Sequence, residues 1–145
     1  MAALTDYAEN KLIDALLRAQ AIGTPATWYI ALFTAAPTDS TGGTEVSGGS
    51  YARVAITASL ANFAGTQSAG STTASSGTGG TSSNNGTVTF PTASGTWGTV
   101  SHFGLCDAST AGNLWVYAAI TTPPTITSGM TPSFAAGALT VQVDN

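Results

Sequence analysis

One histidine and one cysteine, His102 and Cys106, stand four residues apart in this chain. An imidazole beside a thiol is the raw material of a nucleophile and its base, which work together only within hydrogen-bond reach. The segment that carries them, Trp97 to Ile120 (WGTVSHFGLCDASTAGNLWVYAAI), reads as two apolar runs around a turn-rich DASTAGN, the pattern of a β-hairpin. Four residues along a strand, at ~3.3 Å each, share a face but set their backbones ~13 Å apart. The pair therefore cannot act together, and a core or interface histidine with an inert buried thiol is expected. A lone cysteine also excludes an intrachain disulfide framework and offers no zinc spacing.

The remaining chemistry would fall to carboxylates. Asp6, Glu9 and Asp14 belong to an amphipathic segment, which leaves Asp39, Glu45, Asp107 and Asp144 as candidates for the paired acids of glycoside hydrolysis. Asp39, Glu45 and Asp107 lie in turns, where acidic residues commonly form the turn itself. Asp39 and Glu45 lack the DxDxDG spacing of a calcium loop. The Gly-rich stretches GGTEVSGGS and SSGTGG carry neither the Lys nor the strand-to-helix context of a phosphate loop. Trp28, Tyr29, Tyr51, Trp97, Trp115 and Tyr117 could make a sugar-stacking platform, but most sit inside apolar runs, where core packing is the default. No catalytic, cofactor-binding or metal-binding residue is expected, and the chain reads as a non-enzyme without a cofactor.

The elements that would hold these residues are short and mostly β. An N-terminal helix is expected over about residues 6–22, with Asp6 as N-cap, Glu9 three residues on, and Gly23 and Pro25 closing it. Ala8, Leu12, Ala15, Leu16 and Ala19 gather on one face, widened by Ile13 and Leu17, with Lys11, Asp14 and Arg18 opposite. That apolar stripe should pack on a sheet, or else on a neighbouring subunit. Thr27 to Thr34 (TWYIALFT) reads as a strand buried on both faces. Tyr51 to Leu60 alternates as a half-exposed strand, with a loop carboxylate as the expected partner of Arg53. Short strands follow at Thr87–Phe90, in the hairpin, near Thr125–Thr127 and from Leu139 to Val143. Residues 65–86 are almost wholly Gly, Ser, Thr, Ala and Asn and read as a flexible surface arm, ordered at most by a neighbour. The whole, residues 1–145, is expected to be a single domain: a mainly β, antiparallel β-sandwich of about six or seven strands, with the helix packed outside.

Composition narrows the function class. Of 145 residues only 7% are charged, against ~25% in ordinary soluble domains. Such a hydroxyl-rich surface fits a protein largely covered by copies of itself or by partners. The net charge is −4 and the permanent cations are Lys11, Arg18 and Arg53, so the basic footprint of a nucleic-acid binder is missing. No run approaches the ~20 apolar residues that span a bilayer, and the start lacks the pattern of a secretory signal, so synthesis in a cytoplasm is expected.

Four stretches, LTDYAENKLIDALLR, TEVSGGSYARVAIT, TFPTASGTWGTVSHFGLCDASTAGNLWVYAAIT and SFAAGALTVQVD, together resemble a family of small tailed-bacteriophage virion structural proteins, commonly described as tail-fibre or tail-associated. The resemblance covers the chain in order except for residues 65–86. It implies a virion protein on the particle exterior that works by symmetric packing as a homo-oligomer, bound to other tail or capsid proteins. Capsid decoration and host-glycan binding are the alternative roles. No catalytic residue comes with the resemblance. The candidate interface residues are Leu12, Leu16 and Leu17 on the helix, and Asp107, Thr110 and Asn113 in the DASTAGN turn.

Overall fold

The computed structural model describes residues 2–143; Asp144 lies outside them. In chain order the elements are β1 (Ala2–Leu4), α1 (Asp6–Leu17), β2 (Thr27–Ala35), β3 (Thr44–Glu45), β4 (Val54–Thr57), β5 (Thr81–Ser83), β6 (Val88–Thr89) and β7 (Gly98–Thr99). They continue with β8 (His102–Cys106), β9 (Leu114–Ala119), β10 (Thr125–Ile126), β11 (Ser133–Phe134) and β12 (Thr140–Gln142). All pairings are antiparallel and the fold is mainly β, in two layers.

The first layer is a six-stranded sheet in the order β1-β9-β8-β2-β3, with β4 sharing the far edge of β2. β2 is central because both of its faces have apolar cover. Ile30 and Leu32 enter the main core on one face, while Ala31 and Phe33 join Cys106 in a smaller cluster on the other. The two faces stay in step across the sheet, with Ile30 opposite Leu105 and Leu105 opposite Val116. A bulge between Leu105 and Cys106 adds Trp115 to β9 and tightens the local twist.

The second layer is a two-stranded ribbon cut into short pieces. Residues 80–100 run against 124–143 in nearly constant register: Thr99 pairs with Thr125, Val88 with Phe134 and Thr81 with Gln142. Single backbone bonds, Phe90 N–H to Pro132 O and Ala93 N–H to Met130 O, bridge the gaps. The ribbon leads directly into the β8–β9 hairpin, so residues 80–143 form one long hairpin bent back on itself. The bend lies where Ile120 N–H still reaches Ser101 O but Val100 N–H has moved on to Pro124 O. The intervening Thr121–Pro123 have no counterpart on the other arm, and neither Pro123 nor Pro124 has an N–H to continue the ladder. Val88, Phe90, Trp97, Val100, Ile126 and Leu139 thereby fold onto Ile30, Leu32, Phe103 and Leu105 as one core.

Several sequence expectations are corrected by this architecture. The strands are more numerous and shorter than six or seven, because glycines, prolines and the bend break the ribbon into two- and three-residue pieces. The helix ends at Leu17, not near 22. The Arg18 and Gln20 N–H groups both close on Asp14 O, and Ala19 takes the left-handed turn (φ 54°) that Gly23 was expected to supply. Its N-cap is Thr5 rather than Asp6, with the Thr5 hydroxyl accepting from Ala8 N–H. Residues 65–86, expected to be flexible, fold on themselves and include β5. The Gln67 amide donates to Ser71 Oγ (2.6 Å) and Thr73 Oγ1 (2.7 Å) and accepts from Ser76 N–H (3.2 Å). Side-chain amides thus supply the cohesion that apolar burial cannot supply in so polar a segment.

Candidate functional site

The end of the sheet at the β8–β9 turn gathers Asp6, Asp39, Glu45, Arg53 and Asp107, half of the ten charged residues in the chain. Here the 107–113 turn, the 38–42 loop and the start of α1 enclose a cleft of about 490 Å³ whose lining includes Asp6, Asp39, Glu45, Arg53 and Asn113. Arg53 projects from the strand edge to the face opposite the main core, since Val54 and Ile56, its neighbours on the other phase, belong to that core. Its guanidinium lies flat against Glu45, with Nε to Oε1 at 2.8 Å and Nη2 to Oε2 at 2.7 Å. The Nη1 group donates to the carbonyls of Ala108 (2.7 Å) and Ala111 (2.8 Å). With 8% of its side chain exposed, Arg53 is a buried clamp that ties the 44–45 strand to the hairpin turn. The bidentate bonds to Glu45 hold its proton more firmly than usual, against the opposing effect of burial.

Tyr51 completes this hub. Its hydroxyl donates to Glu45 Oε1 and accepts from Leu32 N–H, each at 2.9 Å. Burial first, opposed by the Leu32 N–H and helped by the Glu45 charge, pushes this phenol far above the ordinary tyrosine value. Its ring meets Trp97 edge-on at 5.3 Å and so links the polar hub to the main core. The expected loop partner of Arg53 is therefore Glu45. The carbonyls it holds in the turn, 55 and 58 residues away, had no sequence signal.

Each described candidate acid is engaged in a structural contact. Asp39 accepts from the Tyr117 hydroxyl at 2.9 Å. Asp107 accepts from Asn113 N–H (2.7 Å), the Asn113 amide (2.8 Å) and Trp115 Nε1 (3.2 Å). Burial alone would raise the Asp107 pKa, but the Asn113 and Trp115 donors outweigh it and hold the carboxyl below its usual value. Gly112, at φ 71°, closes the turn, and a side chain there would strike the Asp107 carboxylate. The remaining acid considered, Asp144, lies outside the described residues.

His102 and Cys106 stand at opposite ends of β8. Cys106 is 2% exposed, and burial pushes its thiol up to about 11, so it stays protonated at neutral pH despite the nearby Arg53 charge. His102 holds the Ser101 hydroxyl through Nδ1 at 2.9 Å, and burial lowers its pKa. Among the described residues no three His, Cys, Asp or Glu side chains gather as a metal site would require. Trp97 and Trp115 are 6% and 5% exposed and so present no stacking face, while their indole N–H groups are held by Gly49 O and Asp107.

The interface candidates separate into two kinds. Asp107 and Asn113 are committed to each other inside the turn, and Thr110 at its tip is exposed. On α1 the expected packing against the sheet is confined to the first turn. Thr5 N–H continues the β1 ladder to Trp115 O, Tyr7 meets the Trp115 ring edge-on at 5.2 Å, and Ala8 is buried. Beyond that turn the stripe faces outward, with Leu12 38%, Ile13 52%, Leu16 70% and Leu17 77% exposed.

A second cavity, of about 350 Å³, opens between the two layers beyond Trp28. Its walls include Ile30, Ile56, Phe63, Phe103 and Val141, and no ionisable side chain lines it. Sequence reading missed it, because it is framed by residues from seven separate segments.

No helix among the described residues is long and apolar enough to cross a membrane. No curated protein matches the chain. Residues 3–142 match the sequence profile of the family described as podophage GP4 fiber I protein gp80, as the four N- to C-terminal stretches led us to expect, and the chain belongs to this family of phage fibre proteins.

Proposed function

We propose that the protein is a non-enzymatic structural component on the outside of a phage particle, part of a tail fibre or its attachment, and that it works by packing against identical copies and neighbouring virion proteins. The observation that carries this reading is the outward apolar face of α1, Leu12 to Leu17, in a member of a fibre family. Large apolar side chains clustered in water mark an interaction surface. The sparse charge of the surface supports the same reading, because few ion pairs would have to be desolvated on association. Residues that could have pointed to catalysis serve other ends: Glu45, Asp39 and Asp107 hold Arg53, Tyr117 and Asn113. A host-glycan role loses its platform with Trp97 and Trp115 inside the molecule.

Gold-labelled antibody against this chain, applied to intact virions, tests the location. Label along the tail fibres or at their base is the expected outcome. Label distributed over the head would replace the fibre reading with capsid decoration.

A further inference from the structure

Of the seven large hydrophobic side chains exposed among the described residues, four form the stripe of α1 and a fifth, Leu60, lines the apolar cavity between the layers. We infer that α1 of one copy docks its Leu12–Leu17 face into the interlayer cavity of a second copy. This rests on the reading that the chain self-assembles, and it names the two surfaces that meet.

Area argues for this occupant. α1 is 12 residues long, about 18 Å. Pairing two such helices through four partly exposed side chains buries on the order of a few hundred Å² per copy, short of the ~1,200–2,000 Å² total of a stable interface. Docking on the cavity adds the apolar walls around Trp28, Ile56 and Phe63 and the rim residue Leu60, which is itself 55% exposed. A volume of about 350 Å³ is suited to a few branched aliphatic side chains and too small to enclose a whole helix. The leucines would enter while the helix backbone stays at the mouth.

Charge agrees. The cavity lining is free of ionisable groups, and the charged residues of the helix, Lys11, Asp14 and Arg18, lie on the face opposite the stripe, where docking would leave their surroundings unchanged. The first turn, held by Thr5 and by Tyr7 on Trp115, fixes the direction in which the stripe of α1 faces. Helix and cavity are different surfaces, so the contact is heterologous, and it builds a ring if the rotation closes and a filament if it does not.

The test uses the full chain and its mass in solution by light scattering, with circular dichroism to verify folding. Wild type is expected to form multimers. Leu16→Glu with Leu17→Glu on the helix, and separately Leu60→Glu at the cavity rim, should each give folded monomers. Mixing the two variants should not restore multimers beyond dimers, since each supplies only one intact surface. Leu16→Cys combined with Leu60→Cys should form disulfide-linked chains between copies under mild oxidation, and Leu16→Cys alone should not. Efficient linking of Leu16→Cys alone would overturn the inference in favour of helix–helix pairing, and a link within one chain would overturn it in favour of α1 closing on its own cavity. Multimers that persist in the Leu60→Glu variant would also overturn it, leaving self-assembly intact. A monomeric wild type would overturn both.

Discussion

The hairpin turn and helix α1 leave the same end of the sheet, and they treat their side chains in opposite ways. The turn has its polar groups satisfied within the molecule: the Ala108 and Ala111 carbonyls by Arg53, and the Asp107 carboxylate by Asn113 and Trp115. α1 uses one turn to anchor itself and leaves Leu16 and Leu17 more than two-thirds exposed. The difference separates two tasks. Buried, directional bonds stiffen a loop that has little apolar content, whereas an apolar face left in water contributes little to the fold of one copy and is available to another.

The largest break in that comparison is Arg53→Met. Removing the guanidinium leaves Glu45 partly buried without its counter-charge and two carbonyls without donors, at a cost of about 3 kcal/mol. Urea unfolding should show it, and the loss should far exceed that of any single change on the exposed face of α1. Next is Asp107→Ala, which removes the acceptor for Asn113 and Trp115 and should cost about 1 kcal/mol. Because the folded carboxyl is held below its usual pKa, its contribution is complete above the unfolded value of about 3.9 and disappears as pH falls through the lower folded value. Trp115 fluorescence should report this acid transition in wild type, and the Asp107→Ala protein should lack it. The smallest effect belongs to Leu17→Gln. At dilutions where copies separate, unfolding should shift by less than about 0.5 kcal/mol. A larger shift would show that α1 belongs to the fold of one chain.

The strand character of TWYIALFT and its two-sided burial were legible because alternation and side-chain size decide them locally. The same holds for the β8–β9 hairpin and for the pairing of Arg53 with a carboxylate of the preceding loop. The short ladders were harder. β5 lies in a stretch of Gly, Ser and Thr with no periodicity, and it is a strand because β12 offers it hydrogen bonds. The helix was placed within one residue at its N-cap and overrun at its end, since Ala19 in a left-handed conformation carries no mark in the sequence. Packing on the sheet was expected from the amphipathic stripe, yet a stripe states only that a face is apolar, not what covers it.

What the sequence by itself determined is therefore local and compositional: a β-rich chain of low charge, one short amphipathic helix, a pattern of motifs that identifies a phage fibre family, and a His–Cys pair too far apart to react. Only the tertiary structure decided that residues 80–143 are one hairpin folded over itself, that Arg53 clamps a turn more than fifty residues away, and that the apolar face of α1 points away from its own sheet. These depend on contacts between segments distant in the chain. Periodicity records which face of an element is apolar, and long-range geometry selects what that face meets.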